Sequence, residues 1–276
     1  MKIIPRAAIV AGFAGILALP FLGLFYSFLL FLTMFVGLLL WNHMPTTWTW
    51  DVHPTIPLEK AGIGLVVLLL VIPPFLSTYA QDVLVTLGLY VILSLGLNIH
   101  VGLAGMLNLG FIAFYAVGAY THALLSTQMG FPFWLNLILG AGLAWMFGIL
   151  LCLPTLRLRG DYLAIVTLGF GEMMRIVLNN WDSLTGGPNG ILGVSRPRLP
   201  GFEFSSPIHF YYLVILIAFL MIGITHRLIH SRVGRAWMAI REDEIAAEAM
   251  GVNTSRMKLL AFSIGAGYAG LAGAFF

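Results

Sequence analysis

The chain has 276 residues, of which 60% are hydrophobic and only 9% charged. Soluble domains run near a quarter charged, so this composition excludes a soluble globular protein and points to a polytopic membrane protein. The net charge of +3 is no sign of nucleic-acid binding, because the basic residues gather in loops beside apolar runs.

At the amino end, Lys2 and Arg6 precede an apolar run that continues without charge from Ala7 to Trp41. That is too long for the apolar region of a signal peptide. One crossing takes about 20 residues, so the run predicts either one long helix kinked at Pro20 or a pair of spans hinged there. Trp41, Trp48 and Trp50 beside Asp51 and His53 read as an interfacial aromatic belt. Gly62 to Tyr79 is the next predicted span, bent by Pro73-Pro74; Asp82 marks a turn, and Val83 to Val101 crosses again. From Gly102 to Gly110 the chain stays apolar but carries Gly102, Gly105 and Gly110, each costing a helix about 1 kcal/mol. Broken backbone at membrane depth is tolerated where it lines a cavity or is buried in protein. Helices are then expected over Phe111–Thr127, Phe133–Leu156 and Asp161–Asn180. Arg157 and Arg159 follow the second of these as a cytoplasmic mark. Cys152 falls in an apolar run and is expected simply to pack. Asn179 to Pro207 is a turn-rich loop centred on Gly186-Gly187-Pro188-Asn189-Gly190, and His209–Ile229 returns to the cytoplasmic side.

Ser231 to Lys258 is the longest stretch that cannot sit in lipid. Arg232, Arg235, Arg241, Arg256 and Lys258 alternate there with Glu242, Asp243, Glu244 and Glu248. Basic residues in a short inter-span loop mark the cytoplasmic face. Ala239 to Met250 holds no Gly or Pro and predicts one amphipathic helix with Ile240, Ile245, Ala249 and Met250 on its apolar side. Gly251 and Asn253 are expected to close it. Leu259 to Phe276 forms the last span.

The chain carries no phosphate-binding loop, HExxH, CxxC or nucleophile elbow. The histidines at 43, 53, 100, 122, 209, 226 and 230 follow no metal-ligand spacing and are expected at interfaces or in loops. No cofactor, metal site or catalytic residue is expected.

Five stretches in order carry a resemblance: Gly102-Leu-Ala-Gly-Met-Leu-Asn-Leu-Gly110, Ala113 to Tyr120, Leu158 to Ala164, Thr185 to Ile191, and Gly234 to Gly251. Together they resemble the M-type permease subunit of branched-chain amino acid ABC importers, over about residues 62–276. The resemblance implies an all-α transmembrane bundle of about seven to nine spans, like the type II ABC importer permeases, with one cytoplasmic coupling helix. It implies residues 61–276 as the permease domain, with residues 1–60 an additional amino-terminal membrane segment. Family members continue beyond the span ending at Phe276, so the carboxy-terminal end of the fold is expected to be missing. The implied setting is a bacterial inner membrane, multi-pass in lipid. The implied partners are cytoplasmic ABC ATPase subunits that hydrolyse ATP on a separate chain, a second and unlike permease, and an extracytoplasmic binding protein delivering leucine, isoleucine or valine.

Residue by residue, ATPase docking falls to Arg241, Glu244, Ala246, Ala247, Glu248 and Gly251. Importer coupling loops read Glu-Ala-Ala-x-x-x-Gly; here Ala246, Ala247 and Gly251 match, but position 245 is Ile and Glu244 stands one place early. The translocation path falls to Gly102, Gly105, Asn108, Gly110, Glu172 and Arg175. The loop facing the binding protein holds Thr185, Gly186, Gly187 and Asn189. Plainer readings stand beside these: a helix lying on the membrane surface for 239–251, close helix packing for 102–110, a structural ion pair for Glu172–Arg175, and a solvated turn for 185–191. Urea or short-amide transport belongs to the same superfamily. A self-sufficient ion-coupled transporter or channel would instead lean on Asp82, Asp161 and Glu172.

Overall fold

The computed structural model describes residues 71–276, apart from positions 157, 159, 196, 200, 201 and 205. The expectations for Ala7–Trp41, for the tryptophan belt, for the first half of Gly62–Tyr79 and for Arg157 and Arg159 lie outside the described residues. Within them the chain is a bundle of long helices with one two-residue antiparallel pairing, Arg198–Leu199 with Phe202–Glu203. Four helical stretches are long and apolar enough to cross a membrane: Thr78–Leu103, Phe133–Thr155, Pro207–Ile229 and Thr254–Ala274.

Helix α1 spans Thr78–Asn98. It begins earlier than expected, because Pro73-Pro74 end the preceding segment in a short 3-10 turn and Ser77 supplies the cap, accepting from the Ala80 amide at 3.4 Å. Asp82 therefore sits inside α1 and marks no turn. The Gln81 side chain fastens the junction, donating to the carbonyls of Pro73 and Leu76. At its far end α1 widens into a π turn, Ile99–Leu103, and the helix stops. The expected break is present.

Helix α2 is Ile112–Met129, closed by Gly130 in the left-handed region. Helix α3 is Phe133–Thr155 and α4 is Asp161–Asn180. After the loop, α5 spans Pro207–Ile229. The polar hinge differs from its prediction. Its helix is not continuous but splits at Asp243, giving α6 (Arg232–Glu242) and α7 (Glu244–Ala249). The reason is local: Asp243 takes an extended backbone, and its carboxylate accepts from the amides of Ile245 and Ala246 at 2.8 and 3.0 Å, which is N-cap chemistry. Asn253 likewise opens a helix rather than closing one. Its side chain caps α8, Thr254–Ala274, by accepting from the Arg256 amide at 3.0 Å. Gly251, at φ +86°, does close α7 as expected.

Helix α8 is the axis of the bundle, packed against α3, α2 and α1, with 67% of its most apolar stretch buried. Small residues make this approach possible. A methyl group on Gly118 of α2 would collide with the Gly270 main chain of α8, and one on Gly148 of α3 would meet Ala266 and the Phe262 carbonyl. Helix α5 packs on α1, where Val214 fills the space above Gly88. Cys152 is buried and free, as expected for packing. Two histidines are not where they were expected: His100 and His122 are buried within the bundle.

Candidate functional site

The break between α1 and α2 is held by a network of buried polar groups. The Asn108 amide Nδ2 donates to His100 Nδ1 at 3.0 Å. An amide NH2 only donates, so His100 carries its proton on Nε2, which faces the Phe262 carbonyl of α8 at 3.3 Å. The amide oxygen of Asn108 accepts from the Gly110 N–H at 3.1 Å. The His100 ring stacks on Phe262 and meets the edge of Phe111. The Leu109 amide donates to Thr167 Oγ1 of α4 at 3.0 Å, and Met106 N–H to the His100 carbonyl at 2.8 Å. These bonds supply partners that the interrupted helix cannot. Asn108, one of the path candidates, is buried, and its amide is hydrogen-bonded to His100 and Gly110, which holds the broken chain in shape. Gly110 lies so close to Thr167 that a Cβ would strike the Thr167 carbonyl.

The hinge touches this break directly. Arg241 of α6 donates from Nη1 to the Gly102 carbonyl at 2.7 Å and pairs with Glu242 at 2.9 Å. Gly105 has φ +68°, and a Cβ there would lie 2.6 Å from Arg241 Cγ. Two of the three glycines expected on the path, Gly102 and Gly105, thus face the hinge. Trp237 is fully buried, and its indole N–H donates to the Met257 carbonyl at 2.8 Å, pinning α6 to the start of α8. Lys258 and Glu244 form an ion pair at 2.7 Å with their side chains only 8% and 18% exposed. A cavity of about 150 Å³ lies among these groups, lined by Gly105, Thr155, Arg241, Glu244 and Lys258.

The hinge therefore has two faces. Inward go Ile240, Ala247, Arg241 toward Gly102, and Glu244 toward Lys258. Outward go Ala246, Glu248, Ala249 and Gly251, with Ile245 at 69% and Met250 at 85% exposure. The four residues expected on one apolar side do not share a side, because the split at Asp243 rotates α7 relative to α6. Ile245 and Met250 thus stand open on an otherwise charged segment.

Helix α4 carries the second feature. Its buried residues are Leu163, Ala164 and Thr167, all in its first half. Glu172 and Arg175 pair at 2.8 Å, and their side chains are 56% and 63% exposed. Helix α4 is not among the four stretches long and apolar enough to cross a membrane, and this ion pair stands open on its surface. Between α2 and α4 runs a groove of about 310 Å³ that includes Leu109, Ile112, Tyr115, Leu168, Glu172 and Arg175. The end of the break and the ion pair thus open onto one space. Asp82 and Asp161, by contrast, lie in the early turns of α1 and α4.

In the loop, Thr185 is buried and donates to the Leu178 carbonyl at 2.6 Å, with Trp181 O at 2.9 Å. Gly186 and Gly187 take left-handed backbone. Thr185 and Gly187 look inward, whereas Pro188 and Asn189 are exposed. Sequence reasoning missed His100, Thr167, Trp237 and Lys258. Only the hinge composition hinted at Lys258, and no local spacing links it to Glu244, fourteen residues away.

Membrane-length helices around a glycine-lined axis, one of them ending in a break to which a charged hinge is bonded, define a helical membrane bundle. Residues 79–276 match the family described as branched-chain amino acid transport system / permease component, and the chain belongs to that family. It is 44% identical over 237 residues to the high-affinity branched-chain amino acid transport system permease protein LivM of Escherichia coli strain K12, covering 78% of this chain and 56% of that relative. It is 27% identical over 227 residues to a probable LivM of Methanocaldococcus jannaschii, covering 69% and 65%. To the permease LivH of Salmonella typhimurium it is 30% identical over 212 residues, covering 68% and 67%. The chain spans little more than half the length of the LivM relatives from Escherichia coli and Salmonella typhimurium. No solved structure matches it.

Proposed function

We propose that this chain is a membrane-spanning subunit of an ATP-driven importer of branched-chain amino acids, set in a bacterial inner membrane. Residues 61–276 form the permease domain, and the polypeptide itself breaks no bond. It pairs with a second, unlike permease of the LivH kind, and the open α2–α4 groove lines the passage between them. An ATPase docks on the outward face of α7, around Ile245, Glu248 and Met250. A binding protein delivers substrate at the opposite end, where Pro188 and Asn189 protrude.

One observation carries this reading. The segment with an exposed apolar face is bonded, through Arg241 and through Lys258–Glu244, to the broken crossing and the axial helix. A push on α7 thus reaches the passage through two short polar contacts. Among the described residues, Asp82 and Asp161 lie in early helix turns, which does not favour an ion-coupled mechanism.

The test is uptake of leucine into proteoliposomes holding the whole complex. Dependence on ATP at the ATPase side is expected; dependence on an ion gradient instead would refute the proposal. Gly251→Asp should reduce uptake at least ten-fold while the protein stays in the membrane, and unchanged uptake would remove α7 as the docking site. A membrane-impermeant label on whole cells should fail to reach residue 248 from outside.

A further inference from the structure

We infer that Glu172 and Arg175 form a recognition site for the backbone of a free amino acid, the carboxylate of Glu172 taking the α-ammonium and the guanidinium of Arg175 taking the α-carboxylate. The inference rests on the transport reading above and adds which groups meet the substrate. At about 1.5 Å per residue, Glu172 lies about 17 Å and Arg175 about 21 Å along α4 from Asp161, in the second half of a helix about 30 Å long. Both side chains are more than half exposed there. They line a groove whose other residues are chiefly apolar or aromatic, among them Leu109, Ile112, Leu168 and Tyr115.

The chemistry of the pair matches a zwitterion. The two charges bond each other at 2.8 Å, which satisfies both in the empty groove. An entering amino acid carries one ammonium and one carboxylate and exchanges that single pair for two, with no change of net charge in the passage. An aliphatic side chain then lies against Leu109, Ile112 and Leu168. An amine or a carboxylic acid alone would leave Arg175 or Glu172 facing it unmatched, which disfavours both. A purely structural pair needs only mutual attraction, so exchanging its members should be harmless. A site that reads the orientation of a substrate within an asymmetric groove should not survive the exchange.

The test uses the complete transporter with its ATPase and second permease in proteoliposomes. Leu168→Cys places a thiol in the groove, and the native Cys152 is buried. Leucine should slow maleimide labelling of that thiol at least three-fold, whereas isoamylamine and 4-methylpentanoate at equal concentration should not. Equal protection by all three compounds, or none by leucine, overturns the site. In the second measurement, Glu172→Gln and Arg175→Gln should each lower leucine uptake at least ten-fold. The exchange Glu172→Arg with Arg175→Glu should stay as low while the subunit still co-purifies with its ATPase and second permease in unchanged proportion. Recovery of uptake in the exchange variant overturns the site and leaves a structural pair. Absence of ATP-dependent uptake in the unaltered complex would instead refute the transport reading, and thiol protection by leucine would still test the groove.

Discussion

Helices α8 and α4 are similar in length and opposite in situation. Helix α8 is rich in glycine and alanine and is surrounded by α1, α2 and α3 with backbones nearly touching. Helix α4 buries three residues at one end and leaves most of its side chains, including an ion pair, uncovered. The same contrast holds for the two ion pairs. Lys258–Glu244 and Arg175–Glu172 have N–O distances of 2.7 and 2.8 Å, but the first is enclosed and the second open. Small side chains therefore mark where this chain packs closely on itself, and exposed charge on a long helix marks where it does not.

Glycine substitutions test this contrast most severely. Gly118→Leu forces a side chain into the Gly270 main chain, which cannot rotate away, and should destabilise the subunit by at least about 3 kcal/mol. Gly169 on α4 has open space at its Cβ position, so Gly169→Leu should leave the melting temperature of the isolated subunit unchanged. Similar losses at both positions would erase the distinction between the two helices. Next in size is Lys258→Ala, which removes the cation facing an enclosed carboxylate and should cost about 3 kcal/mol; a loss below about 1 kcal/mol would mean the pair is well hydrated. Gly251→Ala places a Cβ at φ +86° and should cost about 1 kcal/mol, read as a modest drop in thermal stability. Smallest is Glu172→Gln, where solvent already screens the pair and stability should change by less than about 1 kcal/mol, although uptake falls. A large stability loss there would make α4 a self-contained element like α8.

Much of the architecture is legible in the residues because long apolar runs and their interruptions are local signals. Asp161–Asn180 matches its predicted bounds, Phe133–Thr155 differs by one residue, and the glycines at 102, 105 and 110 do interrupt a crossing. Caps were harder to assign. Asp243 and Asn253 each had a charged or turn-forming alternative reading, and only the hydrogen bonds they accept decide that both begin helices. The direction of side chains around the candidate site was not legible. Whether Glu244 faces a partner or Lys258, and whether Asn108 faces a passage or His100, depends on helices that meet far apart in sequence. The centrality of α8 was foreshadowed by its glycine and alanine content, a signal that hydropathy alone underweights.

The capping of the hinge has a mechanical consequence. Ser231, Asp243 and Asn253 each use a side chain to close the start of the rod that follows. A side chain thereby supplies, at every joint, bonds that a continuing helix would have supplied. Two short levers, α6 and α7, joined in this way to the long axial α8 can tilt about their joints without unwinding, so a displacement of α7 would arrive at its neighbours as rotation and would not be dissipated as melted backbone.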